Sequence, residues 1–350
     1  MPADRAVRLA DVVDAAMEAA VVPSFTRIGP AVRSQLEHWA PPVGDRIDGR
    51  VVVITGATSG LGLTAARALL RGGALVEIVA RNPEKLAATV TGLREEIPDA
   101  SVHAVVADTG DLDEIRRAAA DILSRRRRVD VLVHNAGALA DRYVAAAGGL
   151  EQTVASQVVG PFLLSALMAP ALAASAPGRI LWVTSGGMYT EALSVALLDA
   201  GPAGFRGATA YARAKRAQVT LAELMAAKVD PARLVVHAVH PGWALTPGLE
   251  RSLPGFKKVM GPLLRTPEEG ADTLVWLAAN DGEPTATSGR LWLDRRVRTT
   301  HRSASTRRAD TRDERSRLWA WVTEAAGTEF PSDPLLLMDP REARDEHRDL

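Results

Sequence analysis

Val51-Val52-Val53-Ile54-Thr55-Gly56-Ala57-Thr58-Ser59-Gly60-Leu61-Gly62 is the stretch of this 350-residue chain whose reading decides the fold. Four β-branched apolar residues in a row, Val51 to Ile54, suit a parallel strand buried on both faces, where no polar alternation is needed. The run ends in a loop with glycines at 56, 60 and 62, and a helical pattern from Leu63 to Arg71 follows, closed by Gly72-Gly73. Glycines in such a loop allow a tight turn and close approach to a ligand, and the following helix start offers free N–H groups to a pyrophosphate. A glycine triplet by itself also serves an ordinary tight turn. The strand before it and the helix after it point to a dinucleotide site.

Outward from that unit the chain alternates strand and helix. Strands are expected at Ala74–Val79, Val102–Ala107, Val129–Val133, Arg179–Thr184, Leu234–Val239 and Gly289–Leu293, and helices at Pro83–Glu96, Leu112–Ser124, about Leu150–Ala174 and about Ala208–Lys228. Alternation of this kind makes right-handed crossovers. The fold class is therefore α/β: a Rossmann-type, doubly wound parallel sheet of about seven strands in the order 3-2-1-4-5-6-7, with ligand at the carboxyl ends. Residues 1–48 read as an amphipathic helical extension, with Ala10, Val13, Met17 and Val21 on one stripe and Val32, Leu36 and Trp39 on another, Pro23 and Pro30 between them. The extension is expected to pack on the main domain, with a peripheral membrane contact as the alternative. Residues 49–298 form the nucleotide-binding domain. Residues 299–350 form a polar C-terminal extension, helical around Leu318–Ala325 and disordered at its end.

Composition excludes several classes. Lys plus Arg and Asp plus Glu number 42 each, so nothing suggests nucleic acid as a partner. There is no cysteine, hence no disulfide and no thiol nucleophile. The histidines 134, 237 and 240 form no metal-ligand pattern, and no metal is expected. The sequence is read as lacking an apolar run of roughly 18 residues and a signal-peptide layout, so no transmembrane segment is indicated and a cytoplasmic location is expected. Arg125–Arg128 reads as a solvated helix end whose cations favour the dipole terminus.

Chemistry is suggested by Tyr211 and Lys215. Four residues apart on a helix, they share a face. A phenol with its ordinary pKa near 10 is a poor base at neutral pH, and a neighbouring ammonium favours the phenolate. Ser185, at the end of a strand, is placed to bond a substrate oxygen. The same spacing occurs by chance in many helices.

Taken together, Thr55-Gly56-Ala57-Thr58-Ser59-Gly60-Leu61-Gly62, Asn135-Ala136-Gly137, Ser185, Tyr211, Lys215, Pro241-Gly242 and Thr246 resemble the short-chain dehydrogenase/reductase family in order and spacing, over residues 50 to about 295. Thr184–Met188, His240–Trp243, Thr246–Gly248, Gly270–Leu277, Ser288–Arg290 and Asp294-Arg295 look closest to its orphan subgroup called dehydrogenase/reductase member twelve. The resemblance implies Tyr211 as general acid or base, Lys215 as the ribose-holding residue that lowers the Tyr211 pKa, and Ser185 orienting the substrate carbonyl. It implies Gly56, Gly60 and Gly62 against the pyrophosphate, Asp108 at the adenine, Asn135 beside the adenosine ribose, and Thr246 on the nicotinamide carboxamide. Thr55, Thr58, Ser59, Leu61, Ala136, Gly137, Pro241 and Gly242 complete the cofactor-binding set. It also implies homodimers or homotetramers through the long fourth and fifth helices.

Where NAD-preferring members carry a carboxylate after the second strand, this chain has Ala80-Arg81-Asn82. Arg81 is suited to a 2′-phosphate, which favours NADP(H) over NAD(H); the plainer reading is an exposed loop arginine. The family's usual Asn on the fourth helix is replaced by Gln157, which keeps the amide but moves it by a methylene. The Gly186–Ala210 and Leu245–Pro262 segments are apolar, the latter reading as a lid. The expected substrate is a moderately hydrophobic small-molecule carbonyl or alcohol, and the expected activity is hydride transfer by an oxidoreductase. The rival reading is an NADP(H)-binding sensor or scaffold with little turnover.

Overall fold

In a computed structural model of the protein, which describes residues 2–43, 47–252 and 254–331, eight strands form one sheet in the order β3-β2-β1-β4-β5-β6-β7-β8. They are β1 (Val51–Thr55), β2 (Leu75–Ala80), β3 (Val102–Val106), β4 (Val131–His134), β5 (Gly178–Val183), β6 (Leu234–Val239), β7 (Arg290–Leu293) and β8 (Arg296–Arg298). The first seven run parallel, as the sequence indicates; β1 pairs with β2 on one side and with β4 on the other, so the chain order reverses between β1 and β4. That reversal opens the crevice at the carboxyl ends where ligands of doubly wound sheets sit. β8 is an addition to the expected set. It is three residues long and antiparallel to β7, reached through the tight turn at Asp294-Arg295, both at positive φ.

Burial explains the strand sequences. β1, β4, β5 and β6 are buried at every position. Alternate residues feed two separate apolar clusters, Val53 one and Val52 and Ile54 the other, one on each face of the sheet. Each face needs helices to cover it, and the Gly60–Arg71, Pro83–Glu96 and Pro267–Ala279 helices lie on one side while Leu112–Arg125, Gly160–Ala173 and Gly207–Ala226 lie on the other. The expectation of no long apolar segment is corrected here: Gln152–Ala173 is long and apolar enough to cross a bilayer, yet 83% of its 18-residue apolar window is buried, as befits a helix in the domain core.

Arg125–Arg128 is a solvated helix end, with Arg125, Arg127 and Arg128 exposed, and the structure adds a partner that the reading did not include. Arg125 and Arg126 pair at 3.0 and 2.8 Å with Glu77, a fully buried carboxylate in the middle of β2, and Arg128 pairs with Asp130 at 3.4 Å. A carboxylate in a strand buried on both faces is costly unless paired, and these cations satisfy it.

Both extensions are ordered over their described parts. The first comprises helices Pro2–Ala20, Val22–Phe25 and Ile28–Glu37. Its first helix is longer than the apolar stripe indicated, and its inward face carries acids as well as Ala10 and Met17. Asp14 bonds Arg33 at 2.6 Å and Arg298 at 2.6 Å, Arg33 also bonds Asp294, and Asp294 bonds Arg265 at 2.5 Å. Burial raises the Asp14 pKa, but Arg298 and Arg33 outweigh it and hold the carboxyl below its usual value. At the other end, Arg312–Ala326 is a full helix that seats Leu318, Val322 and Ala326 in the core. Its Trp319 meets Phe162 edge-on at 5.5 Å, and its Arg315 pairs with Glu223 at 2.5 Å. This helix thus lies on both long helices, Gly160–Ala173 and Gly207–Ala226, the elements to which the resemblance assigns subunit contacts. The disorder expected for the last thirteen residues concerns positions outside the described residues.

Candidate active site

The glycine loop emerges from β1 with Gly56 at φ 71° and Gly60 at φ 54°, backbone that favours glycine. A Cβ on Gly62 would lie 2.3 Å from Asn135 Nδ2, so the helix can pack on β4 only without a side chain there. Ser59, at the N-cap, turns no side-chain oxygen onto the first amides of the Gly60–Arg71 helix. Those N–H groups and the helix dipole are therefore available to an anion, which is what a pyrophosphate needs.

Asn135 braces the loop. Its Nδ2 donates to the carbonyls of Thr55 (3.0 Å) and Gly56 (3.2 Å), while Thr55 Oγ1 accepts from the amides of Asn135 (3.1 Å) and Ala136 (3.0 Å). The side-chain amide expected beside a ribose is thus bonded to the loop backbone. Thr58 and Leu61 are half-buried, and Leu61 packs toward Gly270. Asp108 Oδ1 accepts from the Gly110 amide at 2.8 Å, and its other oxygen lies 3.9 Å from the largely exposed Arg81. The latter separation is near the limit for an ion pair, and solvent screens it.

On the far side, Gly242 sits at φ 71° with no room for a Cβ, which would lie 2.2 Å from Arg265 Nε. The Pro241 carbonyl accepts from the same arginine at 3.4 Å. Thr246 then folds back over the glycine loop: a Cβ on Gly60 would meet Thr246 Cβ at 3.3 Å. Its hydroxyl accepts from the Leu249 amide at 3.2 Å and opens the lid, which is two short helices, Pro247–Ser252 and Pro254–Met260.

Ser185 follows β5 and Tyr211 lies in the first turns of the Gly207–Ala226 helix. Burial raises the phenol pKa, and a hydrogen bond with Ser185 partly offsets the rise. Lys215 Nζ lies 5.2 Å from the Tyr211 ring centroid and donates to the Val183 carbonyl at 2.9 Å. Burial pushes this ammonium down to about 7. Lys215 is not among the causes that move the Tyr211 pKa, which burial raises and Ser185 lowers. Desolvation governs both groups and favours the neutral form of each.

Gln157 occupies a single π-helical turn, Ala155–Val159, a widening of the long helix of the kind found at functional sites. Its Nε2 donates to the Ala138 carbonyl at 2.8 Å, its backbone carbonyl accepts from Gln218 at 2.6 Å, and its Oε1 is buried without a partner among the described residues. A Cβ on Gly137 would meet this Oε1 at 2.9 Å and Lys215 Nζ at 3.3 Å, so both groups border the same space above Gly137.

The fold thus gathers residues from six segments at the carboxyl ends of β1, β2, β3, β4, β5 and β6. The structural reading of His240 holds, and what sequence reasoning missed is the contact it makes with the N-terminal extension. His240, fully buried, accepts from the Gly242 amide at Nδ1 (2.7 Å), and burial drops its pKa to about 3, so it is a neutral structural ring. Phe25 stacks on it at 4.4 Å from the N-terminal extension. Nothing in the local pattern around Phe25, set between Pro23 and Pro30, signals contact with a strand end more than 200 residues away. Of the other buried histidines, His134 bonds Ser165 at 2.7 Å and His237 bonds the Pro284 carbonyl at 2.9 Å. Among the described residues, no group of three or more His, Cys, Asp or Glu could hold a metal ion.

Comparison with known proteins agrees with this geometry. The model of the family described as short chain dehydrogenase matches residues 50–254. Human dehydrogenase/reductase SDR family member 12 is 31% identical over 256 residues, covering 73% of this chain and 80% of that protein. Human retinol dehydrogenase 13 is 29% identical over 301 residues, covering 84% and 89%. Among solved structures, actinorhodin polyketide ketoreductase with NADPH superposes with a TM-score of 0.56 at 25% identity, covering 70% of this chain and 95% of that one.

Proposed function

The chain belongs to the short chain dehydrogenase family, an oxidoreductase acting on CH–OH and C=O groups, and we propose that it exchanges a hydride between NADP(H) and a moderately hydrophobic carbonyl or alcohol, with Tyr211 as general acid or base. The observation that carries this reading is the phenol of Tyr211 facing the Ser185 hydroxyl, with Lys215 beneath the ring and an uncapped, glycine-lined helix start across the crevice.

The nicotinamide, when bound, supplies or accepts the hydride. The chain's own residues do the rest. Ser185 donates to the substrate oxygen and fixes its direction. Tyr211, kept protonated by burial, holds the proton that this oxygen takes up as it gains charge in reduction. Lys215 and the partnerless Oε1 of Gln157 border one space, and a water between them would connect the phenol to solvent for reprotonation. Gly56, Gly60 and Gly62 hold the pyrophosphate through backbone amides.

NADP(H) is favoured because Arg81 is exposed at the end of β2 while Glu77, the nearest strand carboxylate, is buried and paired with arginines. The actinorhodin polyketide ketoreductase structure contains NADPH, and retinol dehydrogenase 13 is named for an apolar alcohol; both agree with this choice of cofactor and substrate class. Trp243 and Phe256, edge to face at 5.2 Å between the post-β6 loop and the lid, supply an apolar wall. The proposed assembly is a homodimer or homotetramer through the two long helices, against which the C-terminal helix also packs.

The test is NADPH oxidation across a panel of aldehydes and ketones. Turnover on apolar carbonyls supports the reading. Micromolar NADPH binding with no turnover on any carbonyl or alcohol favours the sensor reading, for which the altered relay residue Gln157 is the motive.

A further inference from the structure

We propose that Phe25, supplied by the N-terminal extension, closes the substrate compartment beside Ser185 and sets the size of the carbonyl substituent the site accepts. The inference rests on the oxidoreductase reading and adds a specificity-determining residue from outside the matched family region, which begins at residue 50.

The segment around Phe25 is built into the site. The Trp243 amide donates to the Phe25 carbonyl at 2.7 Å, Arg265 Nε donates to the same oxygen at 3.1 Å, and Arg265 also bonds the Ser24 carbonyl at 2.6 Å. One residue past this segment, the Arg27 amide donates to the Leu263 carbonyl just after the lid at 3.0 Å. The extension is thus threaded between the post-β6 loop and the lid, and Asp294 fixes both arginines that hold it.

The ring itself is 3% exposed. It lies 4.4 Å from His240 and 5.6 Å, edge to face, from Trp243. The decisive contact is with Gly186, the residue after Ser185. A Cβ there would lie 3.2 Å from Phe25 Cε2 and 3.0 Å from His240 Nε2. Phe25 therefore fills, from a distant part of the chain, the space that a side chain beside the catalytic serine would otherwise take. Phe25, Trp243 and Phe256 form a chain of edge-to-face rings that runs from beside Gly186 to the Pro254–Met260 helix. Apolar walls discriminate by shape, at about 10- to 200-fold per methylene-sized misfit.

The test uses the full chain with Phe25→Ala and Phe25→Leu. For each, kcat/KM is measured with NADPH for propanal and for hydrocinnamaldehyde. The expected result is a rise of about tenfold or more in the hydrocinnamaldehyde-to-propanal ratio for Phe25→Ala, a smaller rise for Phe25→Leu, and NADPH affinity within about twofold of wild type. The leucine variant keeps most of the buried area and carries the test if the alanine variant does not fold. Calorimetric binding of the non-reducible propanamide and hydrocinnamamide to the NADPH complex reads the same compartment without turnover. Ratios unmoved in both assays, or both substrates falling in parallel, overturn the proposal. A wild-type protein that turns over no carbonyl or alcohol of the whole panel while its amide selectivity shifts with Phe25 favours the sensor reading and leaves the compartment standing.

Discussion

Replacing Lys215 by Met removes a group the fold holds against its electrostatic preference. The ammonium is 3% exposed, and burial lowers its pKa from 10.5 to about 7. No carboxylate is among the causes of that shift, and among the described residues the charged form meets the Val183 carbonyl and the face of Tyr211. Because the folded pKa lies below the unfolded one, the unfolded chain binds the extra proton between pH 7 and 10.5. Stability therefore rises with pH across that window, and the penalty is fully present below it. Its full size is about 5 kcal/mol, and about 1 kcal/mol survives at pH 10. Losing the bond to Val183 leaves a buried carbonyl unpaired, at a cost of about 1–3 kcal/mol at any pH. Lys215→Met should thus be more stable than wild type by about 2–4 kcal/mol at pH 6 and equal or less stable at pH 10. Urea unfolding followed by circular dichroism at both values reads the difference, and the variant should be inactive at both. A variant destabilised at pH 6, or a difference that does not change with pH, refutes the assignment of a strained, desolvated lysine.

Other substitutions probe the cofactor side and the relay. Arg81→Asp puts a carboxylate at the end of β2 and should weaken NADPH by about tenfold or more while leaving NADH unchanged or improved, as read by fluorescence titration. Gly62→Ala drives a methyl into Asn135, 2.3 Å away, and should cost about 1–3 kcal/mol of stability together with NADPH affinity, checked by thermal melts and titration. Gln157→Asn shortens the side chain that reaches Ala138, and its effect should fall on kcat with NADPH affinity kept; an unchanged kcat would remove Gln157 from the proton path.

Much of the fold was legible because its strands are buried on both faces and so read as unbroken β-branched runs, bounded by turn residues. Val51–Thr55 is the clear case, while Leu234–Val239 is a buried run interrupted by His237. β8 was not legible: Arg296-Val297-Arg298 carries two arginines, and they are inward-facing only because Asp14 and Glu37 come from the extension to meet them. The pairing of Arg125 and Arg126 with Glu77 was hidden for the same reason, since that carboxylate is 48 and 49 residues away. At the site, spacing identified Tyr211 and Lys215, but charge state depends on burial, which spacing does not carry. The pairing of Phe25 with Gly186 joins the end of the short Val22–Phe25 helix to the residue after Ser185, and no local periodicity encodes such a contact.

The central claim is that Tyr211 moves the proton. Its most direct test is Tyr211→Phe, which removes one oxygen and keeps the ring over Lys215. Single-turnover NADPH oxidation with the best apolar aldehyde should slow by about a hundredfold or more, with NADPH affinity within about twofold of wild type. Unchanged single-turnover rates in this variant would contradict the account.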